Sequence, residues 1–268
     1  MVYNNAIAID AKRRCPHDPL PCQANAPLAL DRLMFDRPLD CLVDASTGAL
    51  PIHAVQTAGL TAFLAASPAG AFLRASGFAA AAGDIRLLPG ADGIAGAVLG
   101  LGDGTGPHVF GALPFGLPEG DWRLEPGNFA TDDAVLGFCL GAYRFTALKA
   151  AKRAPARLVA PATGRAVEAA RAMWLARDLI NTPANHLGPT ELAQAVTDIA
   201  ARFGASSSIV GGDDLVREYP AIAAVGAGSD RPPCVASLRW QGSTAAADAP
   251  LLASVSYTHL TLPTNREV

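Results

Sequence analysis

The stretch R-D-L-I-N-T-P-A-N-H-L-G-P-T-E-L-A, Arg177–Ala193, decides how the chain is read. It places two helix boundaries within a few residues of each other. Asn181-Thr182-Pro183 ends one helix, because a proline drives the residue before it out of the helical region. Gly188-Pro189-Thr190-Glu191 opens the next, since proline suits the first turn and Glu191 faces the positive end of the helix dipole. Upstream, Arg165–Ile180 has a helical period. Val167, Ala170, Met173, Trp174 and Ile180 are its expected buried stripe, and Glu168 and Arg171 are spaced to pair outside it. Downstream, Leu192, Val196, Ile199 and Phe203 predict a second core face that Gly204 stops. Short strands are expected at Ser207–Val210, Ala221–Gly226 and Cys234–Trp240, with a short helix capped by Asp213-Asp214.

Toward the N-terminus the pattern repeats at lower contrast. Helices are expected over Ala54–Ala66, carrying Val55, Leu60, Phe63 and Leu64, and over Ala69–Ser76, where Gly77 acts as the stop. Asp84–Leu88 and Gly96–Gly102 read as strands around a turn at Pro89, Gly90, Asp92 and Gly93, and Trp122–Leu124 as a further strand. Asp132–Phe145 places Val135, Phe138, Cys139, Ala142 and Phe145 on one helical face. Such alternation defines an α/β class: a small N-terminal α/β domain with a mostly parallel sheet, plus the start of a second α/β domain near Leu158. The basic stretch Arg144, Lys149, Lys152, Arg153 and Arg157 reads as a solvated connection between them. The domain expectation is a patternless leader over 1–45, an N-terminal domain over 46–156 and a second domain beginning over 157–254. The last stretch, 255–268, is expected to be a non-native tail. It reads V-S-Y-T-H-L-T-L-P-T-N-R-E-V, without Ala or Gly, in a chain rich in both. Met34 is an alternative start.

Composition excludes several classes. The chain has 268 residues, 50% hydrophobic and 17% charged, which fills a core and argues against disorder. A net charge of -3 gives no electrostatic reason to expect nucleic acid or an anionic membrane. No apolar run reaches the roughly 18 residues of a membrane span, and the N-terminus lacks the order of a secretory signal. The expectation is a cytoplasmic protein with no nucleic-acid or membrane partner. The five cysteines, Cys15, Cys22, Cys41, Cys139 and Cys234, contain no C-x-x-C pair and are expected to be reduced thiols.

Motifs for chemistry are absent or incomplete. Gly100, Gly102, Gly104 and Gly106 form G-L-G-D-G-T-G after a strand, but Thr105 stands where a dinucleotide fingerprint needs its third glycine, and no Gly-Lys-Ser/Thr follows. A flexible turn is favoured over a nucleotide site. Gly226-Ala227-Gly228-Ser229 fails the same tests. His17, His53, His108, His186 and His259 include no H-x-x-x-H pair, and there is no G-x-S-x-G elbow. No nucleophile, base and oxyanion site assemble. The sequence therefore assigns no catalytic, cofactor-binding or metal residue to this chain.

One resemblance goes further. R-D-L-I-N-T-P-A-N at Arg177–Asn185, then L-V-R-E-Y-P-A-I-A-A-V-G-A-G-S at Leu215–Ser229, then R-P-P-C-V-A-S-L-R-W at Arg231–Trp240, together resemble the entry to the catalytic domain of the leucyl (cytosol) aminopeptidases. About 65 residues carry it closely, and Pro51–Phe145 fits that family's smaller N-terminal domain more loosely. The resemblance implies a metal-dependent enzyme releasing N-terminal amino acids from peptides, and a homo-oligomer, a hexamer if complete. It implies two divalent ions, manganese or zinc (magnesium also occurs), held by a V-G-K-G lysine and by acids of F-D-[ST]-G-G and N-T-D-A-E-G-R-L segments. A metal-bridging hydroxide attacks the peptide carbonyl there. None of those segments occurs in this chain, and the native-looking text stops at Pro250–Ala253. The expectation is thus an N-terminal fragment, inactive alone and with no metal bound. The readings kept beside it are a non-enzymatic interaction module and a small-ligand α/β domain using Gly100–Gly106.

Overall fold

A computed structural model of the chain describes residues 37–242, apart from 92 and 105. The expectations for Met34, Cys15, Cys22, His17, Asp92, Thr105, Pro250–Ala253, His259 and the tail lie outside the described residues.

A six-stranded sheet organises the first part, in the order β1-β6-β5-β2-β4-β3. The strands are β1 (Leu42–Val43), β2 (Leu50–Gln56), β3 (Ile85–Gly90), β4 (Gly93–Gly102), β5 (Asp121–Leu124) and β6 (Arg157–Val159). All neighbours pair in parallel except β3 with β4. A parallel sheet is covered on both faces, so its strands must be apolar in both directions. β2 and β4 show how that works. Ile52, Ala97, Leu99 and Leu101 enter one core, while Val55 and Val98 enter the other.

The larger core lies under α3 (Leu113–Gly116), α4 (Thr131–Ala142), α5 (Arg165–Asn181) and a 3-10 turn at Pro107–Phe110. Trp122, Phe110 and Phe138 are its largest fully buried side chains. Each contributes on the order of 1.5–3 kcal/mol by leaving water. The smaller core is roofed by α1 (Leu60–Ala66) and α2 (Gly70–Ala75), which bring Leu60, Phe63, Leu64 and Leu73 onto the opposite face. Gly77 stops α2 at a φ of 69°, as expected.

The second part comprises α6 (Pro189–Phe203), β7 (Ser206–Gly211), α7 (Gly212–Glu218), α8 (Pro220–Gly226) and β8 (Cys234–Arg239). β7 and β8 form a separate antiparallel pair, in register from Ser206↔Arg239 to Gly211↔Cys234.

Several expectations change. Residues 54–56 belong to β2 rather than a helix, because this strand runs between β5 and β4 and its alternation satisfies both cores. Ala221–Gly226 is helical: Pro220 occupies the first turn, and a short apolar run has no period of its own to distinguish strand from helix. β6, read as the start of the second unit, pairs on both edges inside the first sheet. Leu39, Cys41 and Leu42, read as leader, are buried in the larger core. The two strands of the second part, whose direction the sequence did not indicate, pair antiparallel.

Candidate functional site

Polar chemistry concentrates where the first sheet's helices meet α5. The buried stripe of α5 is Ala166, Val167, Ala170, Trp174 and Asp178. Met173 and Ile180, expected in that stripe, are exposed. The helix lies against α4 on a narrow face, and that face ends on a carboxylate instead of an isoleucine.

Asp178 is only 2% exposed. A buried carboxylate is retained where donors converge on it. The Tyr143 hydroxyl donates to Asp178 Oδ1 at 2.8 Å, and Arg37 Nη1 donates to Oδ1 at 3.2 Å and Oδ2 at 3.5 Å. Asn181 Nδ2 donates to the Tyr143 hydroxyl at 3.0 Å. The Thr182 hydroxyl donates to the Asp178 carbonyl at 2.6 Å and closes the end of α5. Arg37 is fixed from three sides. Nη2 donates to the Arg144 carbonyl at 2.7 Å, and its guanidinium stands 4.7 Å from the Trp174 ring and 5.5 Å from that of Tyr143. Such cation–ring contacts favour arginine over lysine. Burial pushes the Asp178 carboxyl above its ordinary value, against the opposing pull of the Tyr143 hydrogen bond and Arg37. Burial likewise pushes Tyr143 up to about 12.

The same helix satisfies the end of α4. The last carbonyls of a helix lack partners within it. Trp174 Nε1 donates to the Cys139 carbonyl at 2.9 Å and Arg177 Nη1 to that of Leu140 at 2.8 Å, while Arg144, just past α4 rather than on α5, closes the Tyr143 carbonyl at 2.7 Å. Close approach on the other side of α4 depends on Gly137 and Gly141. A Cβ at either would collide with the backbone of Pro107 or Gly111.

A second joint sits at the N-terminus of α6. Glu191 Oε2 accepts from the Gly188 backbone N–H at 2.8 Å and from Arg231 Nη1 at 3.3 Å. Arg231 Nη2 reaches the Asn185 carbonyl at 2.7 Å. This fixes the turn 183–188 against the segment before β8. Asn181, at the helix end that the sequence marks, points back to Tyr143. The core face of α6 is also shallower than expected: Leu192, Val196 and Ile199 are half-buried and Phe203 is exposed, because the pair β7–β8 covers little of the helix.

The basic connection is partly structural. Arg153 Nη1 donates to the Leu117 carbonyl at 3.1 Å, its Nη2 to that of Phe115, and the Arg144 guanidinium lies 3.7 Å from the Phe115 ring. Arg157 pairs with Asp121 across β6 and β5 at 2.6 Å.

The remaining candidates do not converge. The His53 ring lies tilted at 49° to that of Phe63, 5.5 Å between centroids, His108 lies in the 3-10 turn, and the His186 backbone N–H donates to Pro183 O. Gly100 belongs to β4, and its missing Cβ admits the backbone of Ala80 and Ala81. That packing leaves no phosphate cradle at this glycine. Asp213 and Asp214 lie in the first turn of α7, whose N-cap is Gly211 with no side-chain cap bond, and Asp214 pairs with Arg217 at 2.6 Å. Among the described residues no three His, Cys, Asp or Glu side chains are grouped to hold a metal ion, and no helix is long and apolar enough to cross a membrane.

Sequence reasoning missed the Arg37–Asp178–Tyr143 cluster. Its one local signal was the Asp178/Asn181 spacing of three on α5. Arg37 sits 141 residues away in text without a pattern.

This architecture is a two-part α/β protein, with a doubly covered sheet passed through one long helix to a second unit. The chain belongs to the M17, or cytosol aminopeptidase, family. Residues 50–161 match the family's M17 aminopeptidase N-terminal domain, and 174–254 match its catalytic domain. The family is one of metal-dependent aminopeptidases. A Mycobacterium marinum protein described as "Probable cytosol aminopeptidase" is 33% identical over 132 residues, 44% of this chain and 25% of that protein. The cytosol aminopeptidase structure from Coxiella burnetii superposes with a TM-score of 0.65 at 36% identity, covering 77% of this chain and 47% of that one. The bottromycin maturation enzyme BotP, solved in complex with Mn, superposes with a TM-score of 0.57 at 25% identity, covering 74% and 46%. The matched region spans about a quarter of the curated relatives and about half of the solved chains.

Proposed function

We propose that this chain supplies the N-terminal domain, the linking helix and the opening of the catalytic domain of an aminopeptidase that releases N-terminal residues from peptides. The observation that carries the reading is the succession of both family domains along one chain, joined through α5. The described residues do not supply a donor set that fits a metal pair, so no chemical step runs through them. Their part is placement. Asp178, Arg37 and Tyr143 fix α5 on the first domain, and Glu191 with Arg231 fixes the start of α6. Two divalent ions, manganese or zinc, would supply the Lewis acid and the hydroxide of such an enzyme. Mn in the complex of BotP supports that choice. A cytoplasmic location and a homo-oligomer complete the proposal.

The test has two arms. The 268-residue chain alone is expected to release no p-nitroaniline from leucine-p-nitroanilide with manganese or zinc. A chimera carrying residues 37–242 in place of the matching part of the Coxiella burnetii enzyme is expected to release it. Turnover by the chain alone would refute the placement role. A folded chimera that binds manganese yet hydrolyses nothing would refute the aminopeptidase reading.

A further inference from the structure

Two cysteines from distant parts of the sequence meet in the larger core. Cys41 Sγ donates to Cys139 Sγ at 4.0 Å, and neither residue has exposed surface. The first immediately precedes β1, where its carbonyl accepts from the Leu158 N–H at 2.8 Å. The second lies on α4, where its carbonyl accepts from the Trp174 indole. Each backbone is thus anchored by a hydrogen bond at its carbonyl. A disulfide needs sulfurs about 2 Å apart, so the pair lies roughly 2 Å from bonding distance.

We propose that Cys41 and Cys139 form a reversible disulfide when the protein meets a peroxide. The thiolate of Cys139 attacks one peroxide oxygen, the O–O bond breaks, and hydroxide leaves to combine with the proton that Cys139 lost. Cys139 is now a sulfenic acid. The Cys41 sulfur attacks the Cys139 sulfur, the S–O bond breaks, and the oxygen departs as water with the Cys41 proton. Two thiols are oxidised and one peroxide is reduced to two waters. The order follows from the surroundings. The Cys41 thiol donates its hydrogen bond to Cys139, which favours negative charge on Cys139, and the Arg171 guanidinium adds to that. The same hydrogen bond, and burial after it, push Cys41 the other way. Thiolate character selects the attacking sulfur.

Access comes through the sheet edge. β1 has two residues and, among the described residues, pairs with β6 at the edge of the sheet. Short edge elements open locally at small cost. Closing the disulfide then ties this edge to α4 across 98 positions of sequence.

The experiment uses the full chain, folded by circular dichroism, treated with hydrogen peroxide, alkylated with N-ethylmaleimide and digested with trypsin. Peptide 33–74 linked to peptide 124–144 is expected, two hydrogens lighter than the sum, abolished by dithiothreitol, together with a higher thermal midpoint. Cys41→Ser is expected to leave Cys139 as a sulfenic acid that dimedone captures. Alkylation of both Cys41 and Cys139 after peroxide would overturn the proposal. So would Cys139 linked to Cys15, Cys22 or Cys234 in the folded chain, or an unchanged dimedone yield in Cys41→Ser.

Discussion

Asp178 shows how one side chain can be costly and still necessary. Its burial raises its pKa above the unfolded value. The folded state thus holds the proton more tightly, and the associated stability is complete below about pH 4 and lost as pH rises through the folded pKa. Relative to Asp178→Asn, the wild-type chain should lose stability from about pH 4 toward neutrality in urea titrations. A difference curve rising over that range would show that Arg37 outweighs desolvation. At neutral pH, Asp178→Ala should nevertheless destabilise by about 2–3 kcal/mol, because Tyr143 and Arg37 lose a charge-assisted acceptor together. The sequence offered Asp178 as a family signature without a role. The role depends on Tyr143 and Arg37, which only the fold brings within reach.

Among the elements, α4 and α5 stabilise each other at their ends as well as along their faces. Trp174→Phe keeps most of the buried ring and removes the indole donor to Cys139. A loss near 1 kcal/mol is expected, against about 3–5 kcal/mol for Trp174→Ala, both read from urea midpoints. Equal losses would place all of the residue's contribution in the indole hydrogen bond. At α6, Glu191→Ala should cost about 1 kcal/mol, because the carboxylate closes the Gly188 N–H and holds Arg231. A normal midpoint would make that joint decorative. Most of these elements were legible because their period or their punctuation is strong: α2 from Gly77, α5 and α6 from 183–191, β3 and β4 from the turn between them. The failures share a cause. Residues 54–56, Ala-Val-Gln, and the Ala-rich run 221–226 are too short for periods of 2 and 3.6 to be separated, and pairing partners or a single proline decided them.

The whole molecule is unevenly covered. The first sheet has helices on both faces, whereas the second part leaves Ile209, Val216, Val225, Leu238 and Trp240 exposed. Among the described residues no third strand joins the β7–β8 pair, and such edges invite further strands. The described arrangement should therefore self-associate, with sedimentation velocity showing species above the monomer that Ile209→Lys with Leu238→Lys reduces. A monodisperse monomer would contradict this. The class was legible from alternation, but the boundary was not. β6 and the segment 39–43 carry too little sequence to announce a strand, and long-range pairing alone places them in the first sheet.

That pairing has a mechanical side. β1 enters the sheet from the N-terminal direction, while its parallel neighbour β6 leaves it toward α5. Tension applied at the two ends of the chain would run along this pair in opposite senses, once the second part had yielded. Parallel strands loaded that way slide instead of peeling, so their hydrogen bonds share the force instead of breaking in turn. The shortest strand of the sheet is thus loaded in its most resistant direction.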